Sequence, residues 1–279
     1  HPAAPAGWSP CMDITRHEHT VAAADGERLH CEDWLPAAAA PGAGLLLVHG
    51  VGEHSGRYDA LRQQLAGGGL AVFSWDQRGH GRSTGPRGHV ASWAHYRADL
   101  LLRFQQARRT LPAGAPLFLM GHSMGSLVAL DTVLQRELEE DISGLIVLGA
   151  PIQPVGVARP HLILLARALS RLWPTFRVRL PLRAAQLTGD PAQQATLRAD
   201  PLAHPWVTVR WGTESLRALR RVRENASALR HPLLVMHGAL DTVNAREGAE
   251  QLYHAAASPH KTLLLYPGSR HEPLHAPGR

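Results

Sequence analysis

Ser123 stands in Gly121-His122-Ser123-Met124-Gly125, between an apolar run, Pro116 to Met120, and a helix-spaced stretch, Ser126 to Gln135. A serine held on a sharp turn between strand and helix can act as a nucleophile. Glycines flank it because side chains there would clash. Such a turn also aims the free N–H groups of the next helix at a developing oxyanion. The five residues alone are a weak signal; their strand–turn–helix setting is what carries it. A nucleophilic serine needs a base to take its proton and an acid to orient that base. With this kind of elbow the chain order is Ser, then Asp or Glu, then His, each on a loop after a strand. Asp241 follows the run Leu233 to Met236 through a short turn, and His271 follows Thr262 to Tyr266 through Pro267-Gly268-Ser269-Arg270. Capping a helix from Asn244 is the competing role for Asp241, and His275 is the rival base.

The oxyanion hole combines the N–H after the nucleophile, Met124, with one from the loop after the first parallel strand. That loop is His49-Gly50-Val51-Gly52, and Val51 is the expected donor. The glycines at 50 and 52 let the backbone approach a substrate closely. His49, His54 and Arg57 are expected either to position this loop or to touch substrate.

These residues need a frame. Asp13 to Ala22 and Arg28 to Leu35 read as a hairpin about Asp25-Gly26, which sets Cys31 near Thr20. Leu45 to His49, Leu70 to Trp75, Pro116 to Met120, Gly144 to Leu148, Leu233 to His237 and Thr262 to Tyr266 read as strands. Arg57 to Gly67, Ser92 to Leu111, Ser126 to Gln135 and Asn244 to Ala257 read as helices. This alternation predicts a mostly parallel central sheet with helices on both faces. Its ligands bind beyond the C-terminal strand ends, where the nucleophile loop lies. Residues 1–150 and 231–279 form the expected core, and 151–230 an inserted helical cap. The cap holds an apolar helix, His161 to Trp173, and an arginine-rich one, Glu214 to Arg230.

At 279 residues the chain can bury one full core. No apolar run approaches the roughly 18 residues of a membrane span. No signal peptide is recognisable, and the chain opens at His1, which suggests processing. Two cysteines, Cys11 and Cys31, make no disulfide framework, so free thiols and a cytoplasmic home are expected. The net charge is +6. Lys261 is the only lysine. Thirteen arginines between Pro151 and Arg230 face only Asp190, Asp200, Glu214 and Glu224, a formal +9 that leaves −3 for the rest. From Pro151 to Gly189 there are six arginines and no acid. A nucleic-acid binder would use such charge, but no reading motif accompanies it. His17-Glu18-His19 places two histidines on one strand face, and neither a metal nor a cofactor is expected.

His49 through Tyr58, Asp76 through Ser83 and Gly121 through Gly125 together resemble the monoacylglycerol lipase and lysophospholipase branch of the α/β-hydrolases. Leu187 to Pro191, Asp200-Pro201-Leu202 and Gly268 to Glu272 are similar to that branch's cap and histidine loop. The likeness runs in order from about Ile14 to Glu272. It implies the α/β-hydrolase fold and carboxyl-ester hydrolysis by Ser123, Asp241 and His271, with Val51 and Met124 as oxyanion donors. The implied substrate is a small single-chain acyl ester, and the candidate contacts are His49, Gly50, Glu53, His54, Arg57, Leu164 and Leu197. A peptidase of the same fold and a non-catalytic binding relative are the alternatives. Three departures stand out. Ser126 replaces a usual second glycine, and Leu197 stands where a tyrosine is common. The chain also stops at Arg279 without the family's closing helix, so it is either truncated or less covered at the sheet edge. The apolar helix of the cap is expected to roof an acyl channel, and the basic cap to rest transiently on anionic lipid. Oligomeric state is left open.

Overall fold

A computed structural model of the chain describes residues 13–138, 142–156 and 160–275. The hairpin forms from β1 (Ile14–Ala22) and β2 (Arg28–Pro36). Its turn closes across Ala22 and Arg28, which pairs Cys31 with His19 and shifts the expected Thr20 by one place. Then follow β3 (Ala43–Val48), a 3₁₀ turn (Ser55–Tyr58), α1 (Asp59–Gly67), β4 (Leu70–Trp75) and α2 (Trp93–Thr110). Ser92 caps α2 by accepting a hydrogen bond from the Ala94 amide. The chain continues through β5 (Leu117–His122), α3 (Met124–Leu134) and β6 (Gly144–Leu148). After the cap come β9 (Leu233–Gly238), α8 (Arg246–Ala255) and β10 (Lys261–Tyr266), while β7 and β8 lie in the cap itself.

The eight core strands lie in the order β1-β2-β4-β3-β5-β6-β9-β10. Only β1 with β2 and β2 with β4 run antiparallel; the other pairs are parallel. A parallel sheet is buried on both faces, so its strands read as unbroken apolar runs. In β3, Leu46 and Val48 join the core formed with α2, α3 and α8, while Leu45 and Leu47 join the smaller core with Tyr58 and Ala66. On that second face Phe118, Ile146, Leu234 and Tyr266 are only partly buried.

Between β6 and β9 lie α4 (Pro160–Leu172), β7 (Arg177–Arg179), α5 (Ala184–Leu187), α6 (Pro191–Ala199), β8 (Trp206–Thr208) and α7 (Val209–Asn225). The β7–β8 ribbon and the helices α5 and α6 had no periodic signal. The arginine-rich helix begins earlier than expected because Thr208 caps it, accepting from the Trp211 amide at 3.2 Å. Its inner side chains Ala218, Leu219 and Val222 belong to the main core. The expected 151–230 insertion therefore contains one helix that packs directly on the core of the sheet. In α4 the expected orientation is reversed. Ser170 is buried against Thr213, while Leu164, Leu165 and Leu172 are exposed at 63%, 63% and 85%.

The antiparallel end of the sheet is tied by Glu32, buried on β2. It pairs with Arg16 at 2.7 Å and with the fully buried Arg62 of α1 at 3.3 Å. Both guanidiniums lie about 5 Å over the Trp34 ring. Burial alone would raise the Glu32 pKa, but His30, Arg62 and Arg16 outweigh it and bring it from 4.5 to about 2. Because the folded value is the lower one, this stabilisation is complete above pH 4.5 and is lost as pH falls towards 2. Glu32→Gln is expected to cost about 3 kcal/mol at neutral pH, since it leaves buried arginine undercompensated. It should also flatten the acid limb of a urea-midpoint series between pH 4.5 and 2. An unchanged acid limb would place the acid sensitivity elsewhere.

Candidate active site

Ser123 has φ 51° and ψ −117°, a left-handed conformation that non-glycine residues rarely hold. The strand on one side and the helix on the other enforce it. The Ser123 amide donates to the Leu148 carbonyl at 2.8 Å, and the Ser123 carbonyl accepts from the Leu127 amide. A Cβ on Gly121 would lie 2.4 Å from the Gly125 carbonyl oxygen, and one on Gly125 only 2.1 Å from that of Val48. Both glycines are therefore steric requirements of the elbow. Ser126 is more than a neutral replacement. Its buried hydroxyl donates to the Gly121 carbonyl at 2.6 Å and also bonds the Leu148 backbone, fastening the elbow to β6.

Asp241 follows β9 and His271 follows β10, so the parallel register brings the two loops side by side. His271 Nδ1 lies 2.7 Å from Asp241 Oδ2. A carboxylate can only accept, so Nδ1 carries the proton and Nε2 is left as the basic nitrogen. The other Asp241 oxygen accepts from the amides of Val243 at 2.7 Å and Asn244 at 3.0 Å. One oxygen of Asp241 thus orients His271 and the other ties its own turn. The competing role, capping a helix from Asn244, is not filled, since α8 starts at Arg246 after Ala245 with no side-chain cap. Burial pushes the Asp241 pKa up, but its bond to His271 and the amides prevail and hold it below the usual carboxylate range. Gly149 closes the floor: a Cβ there would meet the His271 ring at 3.3 Å.

Ser123 and His271 line one cavity of about 340 Å³ at the C-terminal ends of the strands. Val51 lines it beside them, and Met124 opens α3, where first-turn amides lack helical partners. The Met124 side chain points away, accepting from the Trp211 indole at 3.3 Å. Gly50 passes so close that a Cβ there would lie 3.3 Å from the Ser123 Cβ.

The candidate contacts divide. Gly50, Glu53, Arg57 and Leu197 line the cavity. His49 does not. It is fully buried, its Nε2 accepts from the Gln77 amide at 2.8 Å, and its Nδ1 donates to the Gly50 carbonyl at 2.7 Å. Burial lowers its pKa, in keeping with a neutral ring that holds the loop. His54 also lies off the lining and pairs with Asp200 of the cap at 2.8 Å. Leu164 is corrected: it projects from the exposed side of α4, and among the described residues none of α4 lines the cavity. The roof is instead built by the stretch 179–205, including Leu180, Leu182, Leu187 and Pro205. Sequence reading also missed His122 and Glu272 on the wall. Both sit next to a candidate catalytic residue, and adjacency was the one signal available.

A family model described as serine aminopeptidase S33 matches residues 39–277. The chain is 33% identical over 254 residues to human monoglyceride lipase, covering 89% of this chain and 81% of that protein. It is 31% identical to the monoacylglycerol lipase of Mycolicibacterium smegmatis, covering 95% and 94%. The crystal structure of Paleococcus ferrophilus monoacylglycerol lipase superposes with a TM-score of 0.79 at 25% identity, covering 96% of this chain and 93% of that one.

Asp241→Asn should leave His271 in the wrong tautomer and lower kcat by about 10⁴-fold. Ser123→Ala should abolish labelling by a fluorophosphonate. Turnover of Asp241→Asn within tenfold of the parent would assign the orienting role to another acid. His271→Ala should match the serine variant in activity, whereas His275→Ala should retain most turnover; the reverse result would move the base to position 275.

Proposed function

We propose that this chain, which belongs to the serine aminopeptidase S33 family of α/β-hydrolases, is a serine hydrolase of single-chain acyl esters, monoacylglycerols above all. The observation that carries this reading is the strained Ser123 elbow sharing one cavity with His271, whose Nδ1 Asp241 holds from behind at 2.7 Å. Ser123 Oγ attacks the acyl carbon while His271 Nε2 takes its proton. Asp241 holds the imidazolium through Nδ1, and the Val51 and Met124 amides receive the oxyanion. His271 then protonates the departing glycerol oxygen. Water, activated by the same ring, releases the fatty acid.

The cavity carboxylates argue against a peptide amine as ligand. Glu53 and Glu272 are both engaged by Arg57, and Asp200 by His54, so none is left to hold an amino terminus. The apolar roof residues Leu180, Leu182, Leu187 and Leu197 suit an acyl chain. Leu197 offers no hydroxyl to a head group.

The outer cap supports contact with a lipid surface. Leu162, Leu164, Leu165, Leu172 and Trp173 are all about half exposed or more, an uncommon concentration for water-facing side chains. Arg167 and Arg171 share that helix, and no acid occurs from Pro151 to Gly189. Each arginine near an anionic leaflet contributes about 1 kcal/mol, and the leucines add apolar burial. Among the described residues no helix is long and apolar enough to cross a membrane, so this contact is peripheral. The buried free thiol of Cys31 suits a reducing, cytoplasmic compartment.

A panel of monoacylglycerols, lysophospholipids, p-nitrophenyl esters and aminoacyl anilides tests the substrate class. Monoacylglycerols should give the highest kcat/KM, and preferred cleavage of the anilides would restore the peptidase reading. Co-sedimentation with phosphatidylglycerol and phosphatidylcholine vesicles tests the surface. Binding should favour the anionic vesicles, weaken with salt and fall in Leu165→Glu. Equal, negligible binding to both would remove the membrane contact and leave the esterase.

A further inference from the structure

Around the cavity wall runs a closed ring of polar contacts. Glu272, the residue after His271, receives Arg57 on both oxygens, Nη1 at 2.8 Å and Nη2 at 2.7 Å. The same Nη1 donates to Glu53 Oε2 at 2.6 Å. The second Glu53 oxygen accepts from the Gly50 amide at 2.5 Å and the Tyr58 hydroxyl at 2.9 Å, and lies 3.0 Å from His122 Nδ1. His122 Nε2 lies 3.3 Å from the His271 carbonyl oxygen, which returns the ring to its start. The three loops that carry the nucleophile, the base and the oxyanion amide are joined in this way, though they are far apart in sequence.

The ring is buried, with side-chain exposures of 9% for Arg57, 6% for Glu53 and 2% for Glu272. Both terminal nitrogens of Arg57 and all four carboxylate oxygens have partners within the ring, which fixes its geometry. His122 Nδ1 lies 2.8 Å from the Tyr58 hydroxyl and 3.0 Å from Glu53, and Nε2 faces the His271 carbonyl, so the imidazole is held on both sides. Burial pushes the His122 pKa down, but the neighbouring Glu53 prevails and raises it.

We propose that Glu272, acting through Arg57, is a positioning residue that sets the Gly50–Val51 amides and the His271 backbone in register around Ser123. This rests on the roles assigned above to Ser123, His271 and Val51. It gives Glu53 and Arg57, which line the cavity, a fixed structural task near the reaction. The Gly50 amide is tied directly to Glu53, and the neighbouring Val51 amide follows its placement. An oxyanion donor works only within a few tenths of an ångström of its proper distance. Arg57 spans the two loops directly, its planar fork meeting both carboxylates at once.

The test is the kinetics of Glu272→Gln on a soluble short-chain phenyl ester and on its thionoester. Misplaced amides should lower kcat for the oxygen ester by about 10²-fold with KM little changed. The thionoester should lose less, because sulfur accepts hydrogen bonds poorly and gains little from aligned amides. The ester-to-thionoester ratio of kcat should therefore shrink. A raised KM at unchanged kcat would make Glu272 part of substrate binding and overturn the proposal. An equal loss on both esters, or no loss, would overturn it as well. If Glu272→Gln does not fold, Arg57→Lys keeps the charge without the fork and gives the same readout. Ser123→Ala separates the two levels: full turnover by that variant would remove the underlying assignment, whatever Glu272→Gln does.

Discussion

One backbone conformation governs this molecule: Ser123 held at φ 51° in the turn between β5 and α3. A non-glycine residue in that region costs about 1–3 kcal/mol and persists only where its surroundings over-determine it. Here they do so from three sides. The β5–β6 ladder carries the Ser123 amide onto the Leu148 carbonyl, and Ser126 adds a side-chain clamp to the same strand. From below, Gly125 meets the Val48 carbonyl at the end of β3 at a distance that excludes any side chain. The central parallel strands are thus the support of the elbow as well as its scaffold, and their long apolar side chains stabilise the strain they hold.

Much of this was legible before any coordinates. The six parallel strands announced themselves as apolar runs because a strand buried on both faces has no polar side to alternate with. Asp241 and His271 could be placed because each follows such a run through a short turn. Other features were hidden for physical reasons. The Arg57–Glu272 pair joins residues 215 positions apart, and no local spacing announces it. The apolarity of α4 was plain, but hydrophobicity does not say which side faces inward. Ser170 finds a buried hydroxyl partner in Thr213, and Arg210 donates to the Ser170 carbonyl at 2.6 Å. Satisfying those polar groups turns the leucines outward. The roof of the cavity fell instead to 179–205, a stretch of short elements with no period to read.

The charge excess of the cap also divides once it is placed in space. Arg221 is consumed by Asp131 of α3, at 2.8–2.9 Å, and Arg223 donates to the Ile152 carbonyl. These arginines join α7 to the core, Arg221 with its charge paired by Asp131. Arg167 and Arg171 remain on the apolar helix, so the two halves of the inserted segment have different tasks despite a similar composition. One half is bound to the core by paired guanidiniums. The other presents leucine, tryptophan and arginine to the outside.

The junction between the inserted segment and the core lies on the 49–54 loop itself, the loop proposed to carry an oxyanion donor. Gly52, at φ 73°, accepts at its carbonyl from the His204 amide at 2.9 Å, and a Cβ at Gly52 would strike the His204 carbonyl at 2.3 Å. His54 of the same loop holds Asp200, and His204 Nε2 lies 3.2 Å from the Gly79 carbonyl. The loop of Gly50 and Val51 is therefore gripped from both sides, by Glu53 and His49 within and by the 200–204 stretch without. A shift of the 200–204 stretch on the core cannot occur without pulling on the Gly50–Val51 backbone, the proposed oxyanion donor. On that proposal, access to the cavity and the geometry beside Ser123 are mechanically one problem, and the glycines at 50 and 52 are where the two constraints meet.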